Sequence, residues 1–257
     1  MSRKAMSRKA KKRRNRNKPQ KPSPQTAYEV HARLIPQVPT PEPSHKRPPR
    51  VFVPDGVYHV RCYGNNHTPL FLDNHDHAEF DRLLEEGARD FGHEILSFKK
   101  MPHHVHLVIQ VAQVSLSVIM HSLCRRYAFW FNRTHGRTGH LFGRRFADIL
   151  VDAKRYLLGL VAFVHRHGVR SGLVATPEDD ELSSYPAYLD PEKARATPWL
   201  STRKVLDRLK AERQGLREST AKVDPNVPYT RGVDEDRRFL GDQVFIRQSL
   251  ADAKPLR

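Results

Sequence analysis

The sequence is short of cysteine, of acidic charge and of long apolar runs, and each shortage removes a class of protein. Only Cys62 and Cys124 are present, too few for a disulfide framework or a cysteine-built zinc site. No apolar stretch approaches the roughly 18 residues of a membrane helix, and the N-terminus lacks the apolar core of a secretory signal. Hydrophobic residues make up 38% of the 257, below the usual share for a compact domain, so part of the chain is expected to bury nothing. Asp and Glu number 28 against 45 Lys and Arg, a formal net charge of +17. That excess argues against an acidic metabolic enzyme and for a polyanionic partner. A soluble cytoplasmic protein with no membrane partner is the expectation.

What is present is unevenly spread. Residues 1–50 hold 15 Lys and Arg, only Glu29 and Glu42 as acids, and nine of the 19 prolines. This first segment therefore carries +13, and the remaining 207 residues only +4. It opens with Met-Ser-Arg-Lys-Ala, repeats that pentad at 6–10 and runs into Lys11-Lys12-Arg13-Arg14. Such a composition cannot bury enough apolar surface to offset its ordering entropy, which predicts a disordered, basic, Pro-rich arm over residues 1–50. An arm of this kind binds nucleic acid by counterion release.

From Val51 the pattern becomes that of a folded domain. Gly56 to Tyr63 alternates and is rich in β-formers, a strand closed by the turn Gly64-Asn65-Asn66. Asp73 is placed to cap a helix with the apolar stripe Phe80, Leu83, Leu84, Ala88 and Phe91, ending at Gly92. Glu94 to Lys99 reads as a second strand, Met101-Pro102 as an interruption, and Val105 to Val111 as a third strand. Leu116, Ile119, Met120, Leu123 and Tyr127 mark a helix over 115–132, and Ala147 to Val151 a fourth strand. Asp152 then caps a helix running toward His165. The order β-α-β-β-α-β-α predicts an α+β, ferredoxin-like domain over 51–190, an antiparallel sheet with its two crossover helices on one face. Amphipathic segments near 201–213 and 237–250, separated by Asp224-Pro225-Asn226-Val227-Pro228, predict a helical C-terminal extension over 191–257.

The stretch Met101-Pro102-His103-His104-Val105-His106-Leu107 carries the chemistry. Side chains alternate along a strand, so His104 and His106 share one face about 7 Å apart, while Val105 and Leu107 take the other. Two imidazoles so placed can share a metal ion. A pair on a solvent-facing strand can equally do nothing, and spacing alone does not separate the two. His103 precedes the strand and faces away from the pair.

The motifs together resemble the HUH single-tyrosine transposases, and among them the REP-associated branch. The likeness rests on Gly56-Val57-Tyr58-His59-Val60 with Gly64-Asn65-Asn66, on the Met-Pro-x-His-Val-His-Leu strand, on Arg125-Arg126-Tyr127, on the run Phe131 to Phe142, and on Gly168 to Val174. It covers roughly residues 54–190 and leaves the arm unexplained. The resemblance implies the HUH fold and a divalent ion, magnesium or manganese, held by the two motif histidines. It further implies single-stranded or hairpin DNA as substrate, cleaved and transferred through a phosphotyrosine link from the last helix. Members occur both as dimers and as single chains, which leaves a homodimer open. The nucleoid is the implied location.

One position departs from the pattern. Counting back from Gly168-Val169-Arg170-Ser171-Gly172 without a gap, the nucleophile position falls on Phe163, which has no hydroxyl to offer. His167 follows four residues later, one turn on and on the same face, and fits the third metal ligand. Three histidines make a softer site than magnesium prefers. Tyr156 is the nearest substitute nucleophile, seven residues earlier and therefore about 10 Å further along the helix axis. Between Arg125 and Arg145, cations alternate with aromatics as single-strand recognition requires, with Arg125, Arg126, Arg133, Arg137, Arg144 and Arg145 as candidate DNA contacts. Whether the chain is an enzyme stays open among strand transfer, a domesticated DNA-binding protein without catalysis, and a metal-dependent nuclease using water. An RNA-binding accessory role is a weaker alternative.

Overall fold

The computed structural model describes residues 50–143, 145–211, 215–224, 226–230 and 238–255. Residues 1–49 of the expected arm, and Arg144, lie outside them. Seven elements follow in the expected order: β1 (Val57–Tyr63), α1 (Asn74–Phe91), β2 (Glu94–Met101), β3 (His104–Gln110), α2 (Leu116–Thr134), β4 (Ala147–Val151) and α3 (Ala153–His165). β1 lies between β3 and β4, antiparallel to both, and β2 flanks β3, also antiparallel. This is the ferredoxin-like arrangement.

Local chemistry sets the helix ends. The Asp73 carboxylate accepts from the backbone amides of His75 and Asp76 at 2.8 and 3.1 Å. The Asp76 carboxylate returns the favour to the Asp73 amide at 3.2 Å, a reciprocal cap worth about 1 kcal/mol. Asp152 caps α3 through the Lys154 amide at 3.0 Å.

Alternation along the central strands separates two chemistries. Val60, Cys62, Val105 and Leu107 face α1 and α2, and the free thiols of Cys62 and Cys124 lie 3.9 Å apart there. His59, Arg61, His104 and His106 take the opposite face, which α3 covers. Helices thus lie on both faces: the two crossover helices share one, and α3 lies on the other.

The C-terminal part holds α4 (His167–Arg170), α5 (Tyr185–Leu189), α6 (Pro191–Ala196), α7 (Arg203–Ala211), α8 (Leu216–Ala221), β5 (Phe239–Leu240) and α9 (Gln243–Ala251). β5 joins the sheet parallel to β4, pairing Leu150 with Phe239 and Val151 with Leu240. The segment expected to be helical over 237–250 therefore opens as a strand. Two residues are too few for an alternation to show in sequence. Trp199, Val205, Leu209, Tyr229, Phe239 and Ile246 join the main hydrophobic core, and the Lys254 amide donates to the Phe52 carbonyl at 2.8 Å. Packing continues across residue 190 without a break. At the other end, Arg50 pairs with Asp148 at 2.6 Å and covers the Phe146 ring at 3.7 Å, so this last residue of the expected arm is part of the domain. Among the described residues, no helix is long and apolar enough to cross a membrane.

Candidate metal centre

β3 delivers His104 and His106 to the α3 face as strand alternation requires, their ring centroids 5.0 Å apart. α3 ends at His165, the chain turns at Arg166, and His167 opens α4. The turn brings the His167 ring within 4.4 Å of the His106 ring centroid and 5.3 Å of that of His104. One ring nitrogen from each of the three lies within 4.8 Å of the others. The Nε2 atoms of His104 and His167 are 3.2 Å apart, close to the separation of about 3.4 Å for two nitrogens on one tetrahedral ion with bonds of about 2.1 Å. His103 turns instead to the backbone of His67 and Thr68.

The electrostatics keep this site ready for a cation. Burial, and next the proximity of His167, His104 and His59, holds the His106 imidazole well below its ordinary pKa. Its neutral ring has a free lone pair, the form a metal binds. His106 Nε2 is buried with no hydrogen-bond partner, an orphan that a bound ion would satisfy. Behind it stands His59, fully buried and missing from the sequence-derived site, with Nε2 2.9 Å from His106 Nδ1. Burial, reinforced by Arg61, pushes the His59 pKa down to about 3. The residues present fit a divalent ion.

Phe163 stands where the register placed it. Its ring centroid is 6.2 Å from His59 and from His106, and 6.0 Å from His167. Tyr229 stacks on its other side at 5.2 Å. Tyr156 lies two turns back along α3, beneath the Arg155 guanidinium and beside Tyr229.

Residues 53–166 match the family described as "Transposase IS200 like". The matched stretch, 114 of the 257 residues, makes this domain similar to the IS200-like transposases. Its fold is similar to that of a REP-associated tyrosine transposase solved bound to a REP hairpin, with 15% identity over 60% of this chain and 88% of that one, and a TM-score of 0.50. A second solved structure, of a Deinococcus radiodurans protein described as a transposase, shares 17% identity over 44% of this chain and 92% of the other, at a TM-score of 0.34. No curated protein matches the chain.

Within this domain the expected DNA contacts fall into two groups. Arg125, Arg126 and Arg133 are exposed on α2, across the sheet from the histidines, and Arg126 is engaged by Glu86. Arg137 lies over the Phe131 ring at 5.6 Å. Arg145 is exposed on the loop whose Gly143 amide donates to the Tyr63 carbonyl, and the Tyr63 ring stacks on His104 at 5.2 Å. Among the described residues, the loop at Gly143 borders the metal centre by way of Tyr63. Two arginines that sequence reasoning missed also do so: Arg170 lies 5.0 Å over the Phe163 ring, and Arg61 opposes His106 in register. For Arg170 the signal was its place three residues after His167.

Beneath His167, the domain holds a buried ion pair. Lys99 Nζ lies 2.6 Å from Asp180 Oδ1, with both side chains 2% exposed. The second carboxylate oxygen presses on Gly168, where an added Cβ would meet it at 2.2 Å. Only glycine fits between that carboxylate and His167.

Proposed function

We propose that this protein binds single-stranded or hairpin DNA at a divalent-cation site formed by His104, His106 and His167, without making a tyrosyl–DNA link at position 163. The observation that carries the reading is the convergence of three imidazoles on the ring of Phe163. The IS200-like family is metal-dependent, and three imidazole donors make a softer site than magnesium prefers. The cation, when bound, supplies Lewis-acid polarisation of a phosphate oxygen. Arg170 and Arg61 then offer charge to neighbouring phosphates, and Arg145 to the strand beyond Tyr63. The resemblance to the REP-associated branch makes a hairpin with single-stranded flanks the substrate to test. A net charge of +17 favours residence on the nucleoid.

A second reading, hydrolysis by water, is favoured by one feature. Among the described residues three protein ligands converge, and His104 and His167 remain partly open to solvent, the layout of sites that leave a coordination position free.

Labelled hairpin DNA with manganese, run on native and denaturing gels, tests both. The expected result is a retarded complex that weakens in His106→Ala, with no covalent adduct. Free cleaved product lost in His106→Ala establishes hydrolysis. A wild-type adduct overturns the leading reading and, if lost in Tyr156→Phe, assigns that residue as nucleophile. Phe163→Tyr returns a phenol to the cluster and is expected to yield the adduct that wild type lacks.

A further inference from the structure

The chain of hydrogen bonds behind His106 fixes which of its nitrogens is available. His59 Nδ1 lies 2.6 Å from the Tyr229 carbonyl oxygen. A carbonyl only accepts, so Nδ1 of His59 carries the hydrogen. That ring is fully buried on the strand face it shares with Arg61, and neither of its hydrogen-bond partners is an acid, so it is neutral and its Nε2 is a bare acceptor. His106 Nδ1, 2.9 Å away, must then donate to it. That leaves His106 Nε2 without hydrogen, buried and unpartnered on the side of His104 and His167.

The geometry points to His59 as a positioning residue: with the Tyr229 carbonyl it locks His106 in the Nδ1–H tautomer and aims the Nε2 lone pair at the cation. This rests on the metal reading of the three histidines. A histidine ligand whose second nitrogen donates to a fixed acceptor is both better oriented and more basic. Here the acceptor is itself an imidazole, held by a backbone carbonyl 170 positions further along the chain. The turn holding Tyr229 is anchored twice more, by Arg61 donating to the Thr230 carbonyl at 2.6 Å and by the Tyr229 ring stacked on Phe163. Residues 229–230 therefore form the rear support of the site, although they lie outside the stretch that matches the family.

The test uses the full-length protein and manganese titrated by calorimetry, with thermal melts of the metal-free protein as a folding check. His59→Leu removes the acceptor and is expected to weaken manganese binding about 10- to 100-fold. His59→Gln keeps it, because the amide oxygen can accept from His106 while the amide nitrogen donates to the Tyr229 carbonyl, and binding is expected to stay near that of wild type. Nitrogen-15 NMR of the wild-type imidazoles reads the tautomers directly, and Nδ1–H is expected at both His59 and His106. An Nε2–H tautomer at His106, equal binding by wild type and His59→Leu, or equal loss in both variants overturns the inference. Absence of manganese binding by wild type instead overturns the metal site itself, while the NMR tautomers still decide the relay.

Discussion

At the scale of single residues, the site depends on a few contacts that tolerate no added atom. Gly168 separates His167 from the Asp180 carboxylate, and Asp180 is held by Lys99 in a pair excluded from water. Breaking a buried pair strands a charge, whereas replacing both partners removes the desolvation penalty with the attraction. Lys99→Met is therefore expected to cost about 3–5 kcal/mol in urea unfolding, and the double variant Lys99→Met, Asp180→Leu far less. Gly168→Ala is expected to displace the carboxylate and weaken manganese binding with it, since the anchor lies directly under His167. Equal stability of single and double variants would show that the pair is not the anchor.

At the scale of elements, α2 presents two faces with different duties. Leu116, Ile119, Met120, Leu123, Tyr127 and Phe131 are buried against the sheet. On the outer side Phe129 is 70% exposed, between Arg125 one turn before it and Arg133 one turn after. A bare aromatic flanked by cations suits stacking on a base with phosphates to either side, a contact worth about 1–3 kcal/mol per base. Phe129→Ala is expected to weaken binding of single-stranded DNA about tenfold, which is 1.4 kcal/mol, with little change in salt dependence. Arg125→Ala is expected to lower the salt slope by about one. Filter binding over a range of salt concentrations reads both effects, and unchanged affinity in Phe129→Ala would remove α2 from the DNA-binding surface.

At the scale of the whole molecule, buried histidines tie stability to pH. Burial holds the His77 ring at about 3, helped by Lys100 and Lys99, and burial alone holds His93 at about 4. Below about pH 6.5 the unfolded chain takes up protons that these folded rings refuse, so stability falls as pH drops toward about 4. Each ring contributes a loss of about 2 kcal/mol at pH 5, less for the partly exposed His77. Thermal melts at pH 7, 6 and 5 are expected to show a steadily falling midpoint, and His93→Phe a shallower fall. A midpoint independent of pH over that range would contradict the burial of these rings.

What the sequence alone determined is what short-range periodicity can carry. Strand alternation put His104 and His106 on one face, helical spacing put His167 one turn beyond Phe163, and Asp73, Gly92 and Asp152 marked the helix ends that the structure shows. Composition separated a basic first fifty residues from the rest. What tertiary structure decided is what meets across distance in the chain. His59 lies 47 positions before His106, and Tyr229 lies 170 beyond His59, so no local pattern can announce that the three form one hydrogen-bonded line. The same holds for Lys99 under Gly168 and for the split of the expected arginines between two sides of the sheet. Periodicity states which way a side chain points; only the packed fold supplies the partner that it finds there.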